Sequence, residues 1–374
     1  MNIRRAVVGA CALALVGAGV STSGAGAQSG RRVPPPIRTV FVVNLENKGY
    51  DETFGPGSPA TYLTNVLRPR GILLTQYYGT AHASLGNYIA QISGQGPTPQ
   101  SQSDCQFYGE FVGAGTVAPQ QAVGQGCVYP ASVQTVADQL SASRLSWKGY
   151  MEDMGNSATE PATCRHPPLD SRDQTQIARP GDQYAARHNP FVYFHSIIDS
   201  PACAEQVVPL DRLDADLAPR ARTPNLVYIT PNLCNDGHDE PCVDGEPGGL
   251  VSADRWLATW IPKILESSAF RRAGLLIVTF DESEANDAGA CCGEGPGPNS
   301  SLPGITGMGG GRTGAVAVSP FIRPGGWNDT AYNHYSLLCS IEDVFGLPKL
   351  GYAGQPGLPC FGTDVYTTLF GAPH

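Results

Sequence analysis

Carboxylate and amide side chains come directly after two apolar runs of the chain. Glu46 and Asn47 follow one run, and Asp281 and Glu282 follow the other. Adjacent acidic groups repel each other unless a counter-ion lies nearby, and hard divalent cations prefer carboxylate and amide oxygens as ligands. A helix cap or a solvated loop would explain either pair taken alone. The two pairs together predict a divalent metal site.

A hydroxyl group and an amide are spaced one helical turn apart at Ser84 and Asn87. We expect Ser84 to lie at or near a helix N-terminus, where backbone N–H groups face an incoming anion. Asn87 then points to the same side of the helix, and its amide can donate a hydrogen bond to a phosphoryl oxygen. The alternative is that Ser84 only caps the helix, since Ser is a favoured capping residue.

Polar side chains crowd a short loop that follows a third apolar run. Asn232, Asp236 and His238 lie in this loop, which Cys234 and Cys242 would clamp. A disulfide that holds polar side chains in place suits a preorganised site. The alternative is an ordinary polar turn.

These groups together indicate one type of chemistry. Oxygen ligands without thiolates suit hard or borderline divalent cations. Such a cation lowers the pKa of a neighbouring Ser hydroxyl, screens an anionic substrate and stabilises the transition state. A further histidine, His334, precedes a helical segment, where a cap or a surface residue is the alternative to a catalytic group.

Short apolar runs alternate with helical patterns along the chain. We expect strands at 39–43, 71–76, 144–150, 190–194, 225–230, 275–280 and 315–319, and helices at 135–145, 252–266 and 335–345. This alternation predicts an α/β fold with a mostly parallel central sheet and helices on both faces. Ligands bind beyond the carboxyl ends of the strands in such sheets, where the candidate side chains fall. Gly-, Pro- and Ser-rich segments at 97–130 and 281–311 predict surface excursions.

Composition limits the class of protein. The chain has 374 residues and is 41% hydrophobic, which excludes a wholly disordered chain despite its 45 Gly and 32 Pro. A formal net charge of −9 argues against a nucleic-acid binder that relies on a basic surface. No internal repeat is visible, which argues against a solenoid or a propeller.

The first residues predict export. Arg4 and Arg5 precede a short apolar stretch, and small residues ending at Ala27 offer a cleavage site. A membrane anchor is the alternative, but the stretch is short and rich in Gly and Ala. The expected organisation is a signal peptide at 1–27, a linker at 28–37 and a catalytic domain at 38–374. We therefore expect a secreted protein, extracellular or periplasmic, without stable membrane insertion.

Ten cysteines remain after the predicted signal peptide, and an even number in an exported protein predicts disulfides. Proximity along the chain suggests the pairs Cys105–Cys127, Cys164–Cys203, Cys234–Cys242 and Cys339–Cys360. The adjacent Cys291 and Cys292 bridge each other or stay free. A zinc–thiolate site is disfavoured because the chain has no pair of cysteines separated by two residues.

Several segments resemble a known family. They are ENKGYDETFG at 46–55, HASLGNY at 82–88, PN at 231–232 with NDGHD at 235–239, FDE at 280–282 and HYS at 334–336. Their types and order resemble the bacterial phosphoesterase family, which holds secreted acid phosphatases and phosphocholine-type phospholipases C within the alkaline phosphatase superfamily. The order is most similar to that in secreted mycobacterial acid phosphatases that act on phosphoinositides. The resemblance implies an alkaline-phosphatase-like fold.

The resemblance also implies a role for each matching residue. The implied metal ligands are Glu46, Asn47, Asp281 and Glu282, and the metal is a divalent cation. Ser84 would be the nucleophile that forms a phosphoserine, and Asn87 would hold a phosphoryl oxygen. His238 and His334 would protonate the leaving alcohol or contact phosphate. Supporting or substrate-binding roles fall to His82, Asp236 and Asn232, and outside candidates for phosphate contact are Lys148 and His188.

The implied function is a secreted, metal-dependent acid phosphatase that hydrolyses small-molecule or lipid phosphomonoesters, with phosphoinositides among the candidates. A phosphodiesterase of phospholipase C type is the first alternative. The second is a secreted binding protein that has lost catalysis, because Gly86 stands where related phosphodiesterases carry Pro in the nucleophile segment. A nucleic-acid partner is not expected.

Overall fold

The computed structural model describes residues 34–219 and 222–367. The signal peptide predicted at 1–27 and most of the linker predicted at 28–37 lie outside these residues. The last seven residues of the predicted catalytic domain lie outside them as well. The domain boundaries therefore stay predictions.

The strands of this part of the chain are short, and most of them belong to one sheet. In chain order they are β1 (Thr39–Leu45), β2 (Ile72–Leu74), β3 (Tyr77–Tyr78), β4 (Phe107–Tyr108), β5 (Val112–Val117), β6 (Gln121–Gln125), β7 (Trp147–Met151), β8 (Ser171–Arg172), β9 (Val207–Pro209), β10 (Leu226–Thr230), β11 (Gly274–Phe280), β12 (Ala315–Val318), β13 (Gly326–Asn328) and β14 (Tyr332–Asn333).

The helices lie between these strands. They are α1 (Tyr50–Phe54), α2 (Ser84–Ser93), α3 (Val136–Ala142), α4 (His195–Ile198), α5 (Ala202–Gln206), α6 (Arg212–Leu217), α7 (Gly249–Glu266), α8 (Ser268–Ala273) and α9 (His334–Phe345). None of the described helices combines the length and the apolar character needed to cross a membrane.

The central sheet has the strand order β13-β2-β12-β11-β1-β10-β7-β9. Neighbours pair in parallel from β11 through β1, β10 and β7 to β9. Only β12 runs antiparallel to the strands on both of its sides. The prediction of an α/β fold with a mostly parallel central sheet is therefore confirmed.

Helices cover both faces of the sheet, as predicted. Alternate residues of β1 point to opposite faces, because successive side chains of a strand alternate. Val42 packs in one cluster with Leu85 of α2, and Val43 packs in the other with Leu257 of α7. Burial on both faces explains why β1, β10 and β11 are apolar at nearly every position.

Register places the ends of β1 and β11 side by side. Leu45 and Phe280 are partners in the parallel ladder, and the next residue, Asp281, donates its backbone N–H to the Leu45 carbonyl at 2.8 Å. Glu46 donates its backbone N–H to the carbonyl of Asp236, in the loop after β10, at 2.8 Å. Glu46, Asp236 and Asp281 therefore lie together at the edge of the sheet where β1, β10 and β11 end.

The prediction of a strand at 190–194 is wrong. Pro190–Tyr193 forms a 3-10 helix whose apolar side chains are all buried. Proline fixes φ and has no N–H to give to a ladder, so it favours the first turn of a helix over a strand interior. The apolar run is a core segment without being part of the sheet.

The cysteines pair as their proximity along the chain suggested. The structure has the disulfides Cys105–Cys127, Cys164–Cys203, Cys234–Cys242 and Cys339–Cys360. A fifth links the adjacent Cys291 and Cys292. Of the two predicted excursions, residues 281–311 form neither helix nor strand, whereas 97–130 contain β4 and the hairpin β5–β6, of which β5 is exposed.

Candidate active site

The nucleophile candidate lies against the carboxylate at the end of β1. The Ser84 hydroxyl donates to Glu46 Oε2 at 2.7 Å, and the Tyr88 hydroxyl donates to Glu46 Oε1 at 2.5 Å. Glu46 is fully buried and Ser84 is 2% exposed. One carboxylate therefore holds two hydroxyls from the first turns of α2, and it fixes the direction of the Ser84 hydroxyl.

Ser84 opens α2 after a sharp change of chain direction. The preceding residue, Ala83, has φ 84° and ψ 123°, a conformation that side-chain-bearing residues rarely adopt. The next N–H, that of Leu85, donates to Asp104 Oδ1 at 2.9 Å. Our expectation that this helix end faces an incoming anion therefore needs one correction, because a carboxylate of the protein already accepts that donor.

Asp281 supplies the second carboxylate of the site. Its Oδ1 accepts the backbone N–H groups of Asn47 at 3.0 Å and of Glu282 at 2.6 Å. Its Oδ2 is buried without a hydrogen-bond partner among the described residues, and so is the side-chain oxygen of Asn47. Buried oxygens without hydrogen-bond donors are unusual in proteins. Asp281 Oδ2 and Asn47 Oδ1, beside Glu46, are the kind of oxygen ligand that a divalent cation prefers.

Burial and mutual repulsion change the protonation of these acids. The pKa of Glu46 lies well above its usual value because the group is desolvated and because Asp281 and Asp236 add negative charge. Burial raises the pKa of Asp281 to about 6 and that of Asp236 to about 8. Positive charge would favour the ionised forms of all three groups, which again fits a cation.

Glu282 lies in a neighbouring cluster. Its Oε2 accepts a hydrogen bond from Asn87 Nδ2 at 3.1 Å, and its Oε1 lies 3.5 Å from His82 Nδ1. Burial and the charge of Asp281 raise the pKa of Glu282 to about 8. Burial opposes protonation of His82, but the contact with Glu282 outweighs it and raises the pKa of the ring. The structure thus brings Glu282 together with His82 and Asn87.

The amide of Asn87 is fully used inside the protein. Its Oδ1 accepts the backbone N–H groups of Thr80 and Ala81 at 2.8 and 2.9 Å. Its Nδ2 donates to Glu282 and to the Ala81 carbonyl at 2.9 Å. Asn87 therefore holds the turn before Ser84 in place.

His188 lies between two of the buried carboxylates. Its Nε2 is 3.4 Å from Glu46 Oε2 and its Nδ1 is 3.2 Å from Asp236 Oδ2, although neither contact is aligned as a hydrogen bond. The ring stacks on Tyr88 with centroids 5.3 Å apart. Burial, with the charge of Arg187 acting in the same direction, lowers the pKa of His188 well below its usual value. The other outside candidate, Lys148, pairs with Asp216 at 2.7 Å.

The loop after β10 presents His238 toward this group. Asp236 Oδ1 accepts the His238 N–H at 2.8 Å, and the ring lies 6.3 Å from that of His188. Its Nδ1 is 2.8 Å from Asp239 Oδ1, and this contact raises the pKa of His238. Asn232 turns inward instead, where its Oδ1 accepts the N–H groups of Cys234 and Asn235 at 3.1 and 2.9 Å. Asn232 forms the polar turn that was the alternative for this loop.

His334 is buried behind the site. Its Nε2 donates to the Asp281 carbonyl at 2.5 Å, and its Nδ1 lies 3.1 Å from both the Tyr77 hydroxyl and Gln91 Nε2. Burial lowers the pKa of His334 to about 4. Both ring nitrogens are therefore used within the protein, and the neutral ring supports the backbone of Asp281.

No site role was predicted from the sequence for Arg187 or Asp104. Arg187 is 4% exposed and lies on the 3-10 segment Ala186–His188. Its Nη1 donates to the Gln176 carbonyl at 3.0 Å, and its Nε is 3.9 Å from Asp104 Oδ2. The sequence shows only an arginine directly before His188, and such a pair has many structural explanations.

Compact clusters of three or more metal-binding side chains lie elsewhere among residues 34–219 and 222–367. Each of them includes two disulfide-bonded cysteines, as in the cluster of Cys234, Cys242 and Asp244. Such sulfurs do not have the thiolate form that binds metal. The acidic strand ends remain the site whose donor chemistry suits a divalent cation.

Comparisons with known proteins identify the family of this chain. The profile of the Phosphoesterase family matches residues 60–348. The chain is 27% identical over 309 residues to a phosphate-repressible acid phosphatase of Penicillium chrysogenum, covering 82% of this chain and 58% of that protein. It is 22% identical over 319 residues to a phosphatidylinositol-3-phosphatase of Mycobacterium tuberculosis, covering 85% of this chain and 80% of that protein.

Solved structures with a similar backbone include the PsFucS1 sulfatase from Pseudoalteromonas sp., with a TM-score of 0.48, 13% identity, and coverage of 90% of this chain and 73% of that one. A protein in the alkaline phosphatase superfamily from Vibrio parahaemolyticus gives a TM-score of 0.45 at 14% identity, covering 87% and 73%. The chain spans a little over half the length of the fungal acid phosphatases that it matches. The match across residues 60–348 shows that this chain belongs to the Phosphoesterase family.

Proposed function

We propose that the chain is a secreted, metal-dependent acid phosphatase that hydrolyses phosphomonoesters through a phosphoserine at Ser84. The observation that carries this proposal is the 2.7 Å hydrogen bond from the Ser84 hydroxyl to Glu46, beside Asp281 at the carboxyl ends of two parallel strands. Secretion is supported by the disulfides, which persist in oxidising compartments.

The proposed metal ligands are Glu46, Asn47 and Asp281. The partnerless buried oxygens of Asn47 and Asp281 support this set. Glu282 was also expected to bind the metal, and we propose that it acts through Asn87 and His82, because both of its oxygens face those side chains. A bound divalent cation would lower the pKa of the serine hydroxyl and offset the charge of the phosphoryl group.

The proposed reaction has two steps. Ser84 Oγ attacks phosphorus in line with the leaving alcohol, the hydroxyl proton passes to Glu46, and the bond from phosphorus to the alcohol breaks. We assign His238 as the group that gives a proton to the departing alcohol, because its side chain is 34% exposed and its raised pKa favours the protonated form. In the second step water attacks the phosphorus of the phosphoserine and gives a proton to the now neutral His238. The bond from phosphorus to Ser84 Oγ breaks, Glu46 returns its proton to Oγ, and phosphate leaves.

Arg187 is the proposed partner of the negative charge on the substrate. It is the buried arginine closest in sequence to His188, and its Nη1 alone makes a hydrogen bond among the described residues. The remaining guanidinium N–H groups suit phosphate oxygens, which arginine binds with two parallel hydrogen bonds. Above its second pKa of about 6, a monoester carries one more negative charge than a diester. In that range the arginine favours the phosphatase hypothesis over the phosphodiesterase alternative.

The names of the relatives narrow the substrate class. Relatives of this chain are called acid phosphatases, and one is called a phosphatidylinositol-3-phosphatase. We therefore propose small phosphomonoesters as substrates, with phosphoinositides among them.

A comparison of two aryl substrates tests the proposal. Purified protein should hydrolyse p-nitrophenyl phosphate in the presence of a divalent cation and leave p-nitrophenyl phosphorylcholine intact. Hydrolysis of the second substrate in preference to the first would favour the phosphodiesterase alternative. Binding of phosphate without turnover of either substrate would favour the inactive binding protein.

Ser84→Ala tests the nucleophile. We expect turnover to fall by about 1,000-fold or more, while the free energy of unfolding changes by no more than about 1 kcal/mol. Ser93→Ala is the matched control, because Ser93 lies at the other end of α2 and donates to the Ile89 carbonyl. Mass spectrometry of acid-quenched enzyme should find one phosphoryl group on the peptide that contains Ser84. Unchanged turnover in Ser84→Ala would place the nucleophile elsewhere.

A further inference from the structure

Asp104 places a carboxylate between the first turn of α2 and Arg187. Its Oδ1 accepts the backbone N–H of Leu85, the residue after Ser84, at 2.9 Å. Its Oδ2 lies 3.9 Å from Arg187 Nε and accepts no hydrogen bond from the residues that the structure describes. The proposed reaction brings the phosphoryl group to Ser84 and Arg187, so we expect Oδ2 to lie beside the bound phosphoryl group.

The Asp104 carboxylate is held in place and stays open to a ligand. Its backbone N–H donates to the Ser101 carbonyl at 3.1 Å, and its carbonyl accepts a hydrogen bond from Gln176 Nε2 at 2.9 Å. The next residue, Cys105, is fixed by its disulfide to Cys127. The Asp104 side chain is nevertheless 24% exposed. A fixed and accessible acceptor is a preorganised contact for a ligand.

Capping of α2 needs only one oxygen of Asp104. The residue before the helix, Ala83, provides no side-chain cap, so Asp104 Oδ1 supplies the acceptor for Leu85 from outside the helix. An asparagine oxygen would serve this purpose equally well, because Asn and Asp are equally favoured as helix caps. The second oxygen, Oδ2, is not used by the helix, and it is the oxygen on the side of Arg187.

An ionised Asp104 carboxylate can accept hydrogen bonds but cannot donate them. A phosphomonoester in weak acid keeps one proton on its phosphoryl group, since its second pKa is about 6. This P–OH group can donate to Asp104 Oδ2 in a short, charge-assisted hydrogen bond. An anion without a proton brings only lone pairs to the same oxygen, and the two negative groups repel each other. Asp104 can therefore distinguish anions by whether they carry a proton.

The surroundings of Asp104 support a shared proton. Burial raises the pKa of Asp104, although the charge of Arg187 and the hydrogen bond from Leu85 act against this rise. The raised pKa lies closer to that of a phosphoryl group, so one proton can be held between the two oxygens. The titratable or charged groups whose charges interact with that of Asp104 are Arg187, His238, Asp173, Asp281, Glu282 and Tyr193.

We propose that Asp104 determines which anions the site accepts: its Oδ2 accepts the hydrogen of a P–OH group, so that the site binds phosphoryl groups that carry a proton and rejects anions that carry none. The proposal rests on the phosphatase function proposed above and adds the selectivity of its phosphoryl site. A sulfate group and a phosphodiester both lack this proton in weak acid. Arg187 attracts negative charge, and Asp104 selects among the anions that it attracts.

Three small anions test the proposal as inhibitors of p-nitrophenyl phosphate hydrolysis at about pH 5, below the second pKa of the phosphoryl group. Inorganic phosphate carries protons at this pH. Sulfate matches its size without a proton, and dimethyl phosphate matches its single charge without a proton. The wild-type protein should bind phosphate at least about 100-fold more tightly than either of the other two anions. Comparable inhibition by all three anions would overturn the proposal without the need for a variant.

Asp104→Asn exchanges the acceptor for a donor. The Asn oxygen can keep the hydrogen bond from Leu85, and the amide nitrogen then stands in the place of Oδ2. The preference for phosphate over sulfate should therefore fall to about tenfold or less. Asp254→Asn is the matched control, since Asp254 also accepts backbone N–H groups at a helix start, those of Tyr62 and Leu63 at 2.8 Å. It should keep the wild-type preference, and the same preference in Asp104→Asn would show that Asp104 only caps α2.

The outcomes separate this proposal from the phosphatase function. If the protein hydrolyses p-nitrophenyl phosphate but does not prefer phosphate to sulfate, Asp104 has no selective role and the phosphatase function stands. If it hydrolyses no phosphomonoester, the phosphatase function fails, and calorimetric binding of the same anions decides the proposal. Binding of phosphate without binding of sulfate, with a smaller preference in Asp104→Asn, would support it. Equal binding of the two anions, or binding of neither, would reject it.

Discussion

At the scale of single residues, the site is defined by acids that the protein has removed from water. Glu46, Asp236 and Asp281 are all fully buried, and burial raises the pKa of each. Desolvation of this kind is costly for structure alone. It is useful for catalysis, because charge interactions strengthen where water is excluded.

For Arg187, a role in phosphate binding can be distinguished by experiment from a purely structural role. Arg187→Gln should lower kcat/KM for p-nitrophenyl phosphate by about 100-fold, the usual effect of removing one charge-stabilising donor. Arg187→Lys should recover part of the loss, because the charge returns without the two-pronged geometry. Inhibition by inorganic phosphate should weaken in parallel.

The matched control is Arg179→Gln, since Arg179 also donates to a main-chain carbonyl but lies in an exposed loop. Activity and phosphate inhibition should stay unchanged in this variant. If Arg187→Gln lowers the free energy of unfolding but leaves phosphate inhibition as in the wild type, Arg187 is a structural residue.

At the scale of elements, the turn before α2 presents Ser84. The chain bends at Ala83, whose φ is 84°, and then enters the helix. Asn87 closes this turn from inside the helix through the N–H groups of Thr80 and Ala81. The strain at Ala83 is therefore held by hydrogen bonds that also tie the turn to Glu282.

Ala83→Gly should stabilise the fold, because glycine adopts positive φ without the clash of a Cβ. We expect a gain of about 0.5 kcal/mol, since the larger freedom of glycine in the unfolded chain offsets part of the relief. Ala215→Gly in the exposed part of α6 is the control, and it should destabilise by about 1 kcal/mol. Denaturant unfolding measures both, and equal destabilisation by the two variants would show that Ala83 is not strained.

At the scale of the whole molecule, the parallel sheet gathers distant segments at one edge. Asn47 and Asp281, which share a hydrogen bond, are 234 positions apart in the chain. Because a cation at this edge would bind only the folded chain, it should stabilise the entire fold.

Removal of divalent cations should therefore lower both activity and the melting temperature. A chelator should abolish phosphate release from p-nitrophenyl phosphate, and adding a divalent cation should restore it. The melting temperature of the Asp281→Asn variant should respond less to the same chelator than that of the wild type. Full activity after the cation has been shown to be absent would remove the metal from the proposed mechanism.

The stability of the chelated protein should fall as pH rises. Burial raises the pKa of Asp236 and of Glu282 to about 8 in the folded state, so the folded chain binds more protons than the unfolded chain between about pH 4.5 and 8. Unfolding then becomes easier through that window. Melting curves from about pH 5 to 8 should show this slope without cation and a smaller slope with it, whereas a rise in stability with pH would contradict the assignment.

Much of this architecture follows from local patterns. The runs that became β1, β10 and β11 are continuously apolar, and such runs form strands buried on both faces. The run at 190–194 has similar composition but begins with Pro, and it became a 3-10 helix. Composition therefore predicted burial at this place and did not predict the backbone hydrogen bonds.

The site residues also differ in how far the sequence predicted their contacts. The group that the Ser84 hydroxyl contacts could be predicted only in part. A serine at the start of a helix can also cap that helix. Asn87 and His334 matched family motifs, yet their polar atoms are used within the protein. His188 was an outside candidate and lies between Glu46 and Asp236, because a short 3-10 turn carries it there.

The sequence by itself determined the chemical inventory: acids and an amide directly after buried strands, a hydroxyl before a helix, and cysteines near enough to pair. Only the tertiary structure decided which carboxylate faces the Ser84 hydroxyl, which oxygens lack partners, and which histidines can exchange protons. The physical reason is that residue type sets what a side chain can donate or accept. Burial and the choice of partner depend on segments that meet only when the sheet assembles.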